Sequence, residues 1–383
     1  MKPVDVLIVG GGPAGSTLAW ALRDSGLSVA ILDKRDFPRD KVCAGWVTPA
    51  VMEELEVDLD DYARERTLQP ISGFRLGLMG EKEVETRYEH GPVSYGIRRY
   101  EFDDYLLRRA ADTGATLLTG TPFRQMEREG DGWRVNGEIA ARVVVGAGGH
   151  FCPVARAMGA RPGRSERIVA AQEIEFPMTP EQAAACPVDP EVPELFFTRD
   201  LAGYGWIFRK GDYLNIGLGR EDNHQLSRHV AEFTDYLKAQ GRIPADTPEK
   251  FHGHAYLLYP HALRRLVDDG RLLIGDAAGL AYPQSGEGIR PAVESALLAA
   301  QSLLECDGRY TADRLAGYVE RMEDRFGRRQ AGPGWLERVP VGLKQPIAAR
   351  LMRSPWFARN VVMDRWFLHT HQAPLRFRAG TAA

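Results

Sequence analysis

The chain has 383 residues, 44% of them hydrophobic and 26% charged, with a formal net charge of −3. That length exceeds what one hydrophobic core fills, so two lobes are expected, and the near-neutral charge argues against a nucleic-acid partner. Four dispersed cysteines (Cys43, Cys152, Cys186 and Cys306) make no disulfide framework and point to a reducing, cytoplasmic setting, while no stretch reaches the roughly eighteen uninterrupted apolar residues of a membrane span.

Residues 4–9 are almost all apolar and read as a buried strand. Gly10-Gly11-Gly12-Pro13-Ala14-Gly15 follows, with Gly10, Gly12 and Gly15 at the fixed positions of G-x-G-x-x-G. A small-residue helix over 16–25 comes next, then Gly26 as its stop and a second apolar strand, 29–32, ending at Asp33. In such a unit the first glycine permits a tight turn, the second lets backbone approach a pyrophosphate, and the third lets the helix pack on the strand. The helix N-terminus offers N–H groups to phosphate, and an acid about twenty residues past the turn accepts from ribose hydroxyls. Strand, turn, helix and acid together predict dinucleotide binding.

Phe37 to Pro49, rich in proline, glycine and charge, reads as a loop; it contains Lys41, Cys43, Ala44 and Gly45. Residues 50–66 read as helical, and 70–97 as short antiparallel strands punctuated by glycine. From Arg99 a helix begins, with Phe102, Tyr105, Leu106 and Arg109 three and four apart on one face. A strand at 115–118 and a hairpin around Gly130-Asp131-Gly132 lead to Val143-Val144-Val145, which enters the glycine cluster 146–149. Between 165 and 265 the pattern changes to short strands at 173–176, 195–197, 205–208 and 214–218, with a helix over 224–240. This predicts a mostly antiparallel sheet facing the substrate. A buried strand at 271–274 then ends in Gly275-Asp276-Ala277, and Pro283 to Ile289 opens a long apolar helix.

His252-x-His254 and His369-x-His371 have no partner set at a metal-binding spacing and read as ordinary polar residues of loop and tail, so no metal is expected. In the tail, Leu351, Met352, Trp356, Phe357, Val361, Val362, Trp366 and Phe367 alternate with Arg350, Arg353, Arg359 and Arg365. Such a helix either packs its aromatics on the cofactor lobe or lies on a membrane surface.

The order and spacing of these motifs resemble the FAD-binding proteins of the p-hydroxybenzoate hydroxylase fold: the glycine turn, Arg99-x-x-Phe102-Asp103-x-x-Leu106, and Gly275-Asp276-Ala277. Within that fold, Lys41-x-Cys43-x-Gly45 is similar to the P-C-G-G loop of the geranylgeranyl reductase family. Tyr204-x-Trp206-x-Phe208-x-Lys210, followed by Asn215-x-Gly217-x-Gly219, is similar to that family's Y-x-W-x-F-P-K signature. The resemblance spans nearly the whole chain. It implies an α/β fold with a Rossmann-like FAD-binding lobe, discontinuous over residues 1–70, 95–164 and 266–305. A mostly antiparallel substrate lobe (71–94 and 165–265) is inserted, and a C-terminal helical region (306–383) follows.

The implied cofactor is FAD. Its pyrophosphate would lie at Gly10, Gly12, Pro13, Ala14 and Gly15, and its adenosine ribose at Asp33 beside Lys34. Arg99 would reach its phosphate or flavin side, Gly275 and Asp276 its ribityl chain, and Gly286, Glu287, Gly288 and Ile289 the flavin N1–C2=O edge. Lys41, Ala44 and Gly45 would border the flavin. The chain departs from the pattern at Gly148-Gly149, where the fold usually has D-G, at Arg209 in place of proline, and at Glu287, where glycine is commoner.

The chemistry implied is reduction of C=C bonds in an isoprenoid or similarly apolar substrate by hydride from reduced FAD, with electrons from an external donor such as NAD(P)H or ferredoxin. Tyr204 and Trp206 would either wall a dry substrate tunnel or serve as sheet-core aromatics. Cys43, flanked by the cations Lys41 and Arg39, is the candidate reactive side chain. Two other readings stay open, because fold does not set function. One is an FAD monooxygenase or halogenase acting on an aromatic or secondary metabolite, and the other a non-catalytic flavoprotein that binds lipid or quinone. The expected location is cytoplasmic, with the tail as the candidate for peripheral membrane contact.

Overall fold

The computed structural model describes residues 2–160, 168–221, 225–259, 262, 264–329 and 341–377. Val4–Val9 is the centre of a sheet because both of its neighbours are also continuous apolar runs. It pairs in parallel with Ile139–Gly146 on one side and Val29–Leu32 on the other, with Val6 opposite Val143 and Val29. Arg271–Leu273 and Thr116–Leu118 extend this sheet in parallel at its two sides. A hairpin, Met126–Glu129 with Gly132–Val135, adds antiparallel strands to Ile139–Gly146. Strands buried on both faces need apolar side chains at every position, and the helices Pro13–Ala21, Arg99–Asp112 and Ile289–Glu305 share that core.

A second sheet, seven-stranded among the described residues, runs in the order His252–Leu257, Ile168–Pro177, Tyr213–Arg220, Gly203–Lys210, Glu194–Phe197, Gly73–Leu78 and Val84–Arg87. All of its pairings are antiparallel except Glu194–Phe197 with Gly73–Leu78. Alternation sorts its side chains to two faces. Phe196, Ile207 and Ile216 pack with Val230, Phe233 and Leu237 of the helix Leu226–Ala239. Leu195, Trp206 and Phe208 point the other way, into a cluster with Phe74 and the C-terminal residues Met352, Val362 and Phe367. A three-stranded sheet (Trp46–Val47, Ser94–Ile97, Leu68–Ile71) ties the two cores together: Val47 and Ile97 belong to the first, Ile71 and Trp46 to the second. The architecture is thus the expected α/β one, a parallel Rossmann-like lobe interrupted by a mostly antiparallel sheet.

Three local expectations need correction. Residues 50–66 form two helices, Pro49–Glu54 and Leu59–Glu65, because Glu56 takes a positive φ of 50° and Asp58 then caps the second helix, accepting from the Asp61 N–H at 3.0 Å. His252 and His254 lie on a strand, paired along Ile168–Pro177, and not in a loop. Among the described residues, the tail packs its buried aromatic and aliphatic side chains chiefly on the seven-stranded sheet, while Leu375 and Phe377 reach the parallel-sheet core. Among the described residues no helix is long and apolar enough to cross a membrane.

Candidate functional site

The glycine turn is enforced by close approach as well as by φ. Gly10 has φ of 119°, and a Cβ there would run into the Ala147 carbonyl; at Gly15 a Cβ would run into the carbonyl of Gly10. Pro13 opens the following helix, whose cap residue, Gly12, supplies no side-chain partner, so the helix start keeps the features that suit an anion. Asp33 braces this turn: its carboxylate accepts from the Gly11 N–H at 2.7 Å and from the Arg35 N–H at 2.9 Å. Lys34 next to it is exposed. Arg39 also approaches the turn, its Nη2 lying 3.5 Å from where a Gly12 Cβ would stand, and its Nη1 is 3.1 Å from Asp103.

Beyond the turn lies a network of charge. Arg99 donates two hydrogen bonds to the fully buried Asp103, at 2.6 and 2.7 Å, and its charge faces Cys43. Burial alone would lower the guanidinium pKa, but the Asp103 carboxylate outweighs it and holds Arg99 above its ordinary value. Burial, with the Arg99 charge adding, pulls Lys41 down to about 8. Lys41 Nζ stands 2.9 Å from His254 Nδ1, and His254 Nε2 is 3.5 Å from the Asp276 carboxylate. A lysine ammonium has no lone pair, so Nδ1 must accept; the ring proton is then on Nε2, facing Asp276. Burial holds His254 below its ordinary pKa, which keeps that neutral tautomer. Burial pushes the Asp276 carboxyl up, but the hydrogen bond from the neutral His254 and the charges of Lys41 and Arg99 overcome it and hold the group below its ordinary value.

The loop after Tyr282 converges on the same place. A Cβ at Gly288 would stand 3.1 Å from Asp276 Oδ1, and one at Gly286, where φ is 67°, would press on the Tyr256 hydroxyl. Two N–H groups of this loop are spent internally, Gly286 to the Tyr282 carbonyl (2.9 Å) and Glu287 to Ser285 Oγ (3.3 Å). The start of the helix Ile289–Glu305 remains without a side-chain cap. Both carboxyl oxygens of Glu287 are buried without a hydrogen-bond partner among the described residues. Burial raises this carboxyl to about 8, with Glu294 adding and Arg290 opposing. Tyr204 donates its hydroxyl to the Ser285 carbonyl, which joins the seven-stranded sheet to the loop.

Cys43 and Gly45 sit between this polar network and an aromatic wall. The Gly45 N–H points to Cys43 Sγ at 3.3 Å, and Asn215 donates to the Cys43 carbonyl at 3.1 Å. Trp46, just beyond, lies 5.0 Å from Phe74, 5.6 Å from Phe208 and 5.5 Å from Phe367, ring centre to ring centre. Tyr204 lies 5.4 Å from Phe367. The Trp206 indole N–H is committed to Asn215 Oδ1 at 2.8 Å, so this ring contributes surface and no free donor.

The structure therefore brings Lys41, Cys43, Ala44, Gly45, Arg99, Tyr204, Gly275, Asp276 and the 286–289 loop into one neighbourhood, with Trp206 in the adjoining cluster; Lys34 is exposed next to Asp33. Sequence reasoning missed His254 and Tyr256, whose side chains alternate onto the cleft side of one strand, and it missed Arg39, Asp103 and Asn215 as parts of the network. The alternation His252-x-His254-x-Tyr256 was a strand signal, but nothing local ties His254 to Lys41, 213 residues away. Among the described residues no group of histidines, cysteines and carboxylates is placed to hold a metal ion.

The family model of the FAD binding domain matches residues 3–326. The menaquinone reductase of Mycobacterium tuberculosis is 32% identical, over 85% of this chain and 81% of that one. The geranylgeranyl diphosphate reductase of Rhodobacter capsulatus is 31% identical, over 78% of this chain and 75% of its own. A solved geranylgeranyl bacteriochlorophyll reductase-like protein of Thermoplasma acidophilum aligns with a TM-score of 0.76 at 21% identity, covering 97% of this chain and 98% of that one, which shows a shared fold. The uncapped helix start, the converging glycines and the ionised Asp276 suit an FAD molecule stretched along the cleft. The chain belongs to the geranylgeranyl reductase family of FAD-dependent oxidoreductases.

Proposed function

We propose that this flavoprotein reduces carbon–carbon double bonds of an isoprenoid or comparably apolar chain. The observation that carries the reading is the apolar wall of Trp46, Phe74, Phe208 and Phe367 directly beyond the Lys41–Gly45 loop. Two relatives support it, one named for reducing geranylgeranyl diphosphate and one for menaquinone. The chemistry a bound, reduced FAD would supply is hydride for one alkene carbon, and the other carbon would need a proton from the protein. An unactivated alkene develops little charge until that proton arrives, so the wall acts by orienting the chain and excluding water.

The residues divide the remaining work. Gly10, Gly12 and the helix from Pro13 would hold the pyrophosphate, Asp33 the adenosine ribose, Asp276 the ribityl hydroxyls, and the helix start at Gly288–Ile289 the flavin edge. Lys41 holds the transferable proton at Nζ; His254 orients it, and Asp276 fixes the His254 tautomer. Cys43 faces the substrate side of the same loop. Electrons come from an external donor of the NAD(P)H or ferredoxin class. The test is anaerobic incubation of the reduced holoenzyme with geranylgeranyl diphosphate. Flavin oxidation with gain of one H2 per double bond reduced is the expected result. No saturated product, with oxygen-dependent hydroxylation of an aromatic instead, would overturn the proposal in favour of a monooxygenase.

A further inference from the structure

The helical segment that closes the aromatic wall has a second face. Met352, Ala358, Val362 and Phe367 are buried against the seven-stranded sheet, yet Ile347, Leu351 and Trp356 stand outward with 62%, 40% and 67% of their surface exposed. Ile347 and Leu351 are four apart in the helix Val341–Met352 and so share one face, and Trp356 follows in the short helix Pro355–Phe357. Large apolar side chains exposed together mark an interaction surface. The segment's own charge is mostly positive, although one of its cations, Arg353, is paired with Glu81. Residues 341–377 hold six cations (Lys344, Arg350, Arg353, Arg359, Arg365 and Arg376) and a single acid, Asp364, in a chain whose net charge is −3. That acid is occupied, accepting from the Tyr88 hydroxyl at 2.6 Å.

We propose that the outer face of residues 344–359 docks on an anionic lipid bilayer. Apolar side chains among arginines are what the boundary between headgroups and acyl chains accepts, with the rings and aliphatic tips immersed and the guanidinium groups at the phosphates. A second copy of the chain is a poorer occupant, because like cations would then meet across the contact. The position has a consequence for the site. The helical run that continues from this segment, Ala358–Phe367, supplies Phe367 to the wall beside Trp46 and Tyr204, so the aromatic cluster is next along the chain for a substrate leaving the bilayer. This last step rests on the apolar-substrate reading, whereas docking itself is read without turnover.

The test is co-sedimentation of the FAD-loaded protein with vesicles of phosphatidylcholine alone and of phosphatidylcholine mixed with phosphatidylglycerol. Binding at least about tenfold stronger to the anionic vesicles is expected, weakening in high salt. The double variant Ile347→Glu, Trp356→Glu is expected to lose about tenfold or more of that binding while keeping its flavin absorbance and unfolding transition. Should the double variant lose its flavin, Arg350→Glu, a change at an exposed charge, carries the same test. Equal binding to both vesicles, or variants that bind like the parent, would overturn the proposal. So would a parent dimer that the substitutions dissolve, since a second copy would then be the occupant.

Discussion

Asn215 donates from Nδ2 to the backbone carbonyl of Cys43 at 3.1 Å. Its Oδ1 accepts from the Trp206 indole at 2.8 Å, so one side chain of the seven-stranded sheet fixes both the Cys43 loop and a neighbouring ring. Asn215 is completely buried, and Asn215→Leu would take a partner from the Trp206 indole N–H and the Cys43 carbonyl, and a donor from the carboxylates of Glu173 and Glu175. At about 1–3 kcal/mol for each unpaired buried group, the variant should lose roughly 2 kcal/mol or more in denaturant unfolding. Turnover should fall further than FAD content. Unchanged stability would show that water replaces the amide and that the loop is held some other way.

Gly45 tests the same loop from the other side. Its φ is 63°, and a Cβ would meet the Ile97 carbonyl and Lys210 Nζ. Gly26 has a similar φ of 73° with nothing within 4 Å of such a Cβ. Gly26→Ala therefore measures backbone strain alone, about 1–2 kcal/mol. Gly45→Ala adds displacement of the strand or of Lys210. We expect it to cost distinctly more than Gly26→Ala in chemical denaturation, and to reduce turnover where Gly26→Ala does not. Equal costs would mean that the loop moves freely away from Ile97.

What could be read from sequence, and what could not, follows the range of the forces involved. The Gly10–Gly15 turn was legible because φ and backbone collision at Gly10 and Gly15 exclude other residues locally. Val4–Val9 and Val143–Val145 were legible because strands covered on both faces are apolar throughout. The partnership of His254 with Lys41 and Asp276 was not, since it depends on the register of one strand against another far along the chain. Buried charge was not legible either: Arg290 pairs with Glu294 at 2.8 Å inside the core, a partnership that a helix's apolar periodicity does not reveal. The tail was ambiguous because it has two apolar faces, one packed by Val362 and Phe367 and one left with Ile347 and Trp356 outside.

Glu287 should set a stability trend with pH. Its folded pKa of about 8 lies above the ordinary 4.5, so between those values the folded chain keeps a proton that the unfolded chain has released. Its contribution is complete below about 4.5 and is lost as pH rises through about 8. Glu287→Gln preserves shape and removes the titration. Comparing denaturant unfolding at about pH 6 and about pH 9, the parent should lose more stability than the variant, and the variant should be the more stable of the two at the higher pH. Parallel losses in the two proteins would show that the carboxyl finds a partner and is not an isolated buried acid.

Lys41 yields the sharpest test, because its two roles have opposite pH signs. Its folded pKa of about 8 lies below the ordinary 10.5, so across that interval the unfolded chain holds a proton that the folded chain has lost. Stability from this group therefore rises with pH between about 8 and 10.5. Proton donation runs the other way, since the ammonium disappears as pH passes about 8. Single-turnover alkene reduction by the reduced enzyme should thus fall above about pH 8 while the fold becomes no weaker from this residue. Lys41→Met should lower the rate by about a hundredfold or more, in the usual range for loss of a general acid, and should erase the alkaline limb. It should also stabilise the protein slightly near neutrality, by removing an ammonium disfavoured by burial and, secondly, by the Arg99 charge. A parent rate that is flat through pH 8, or a methionine variant that retains it, would transfer the proton to another donor, for which Cys43 on the same loop is the next residue to substitute.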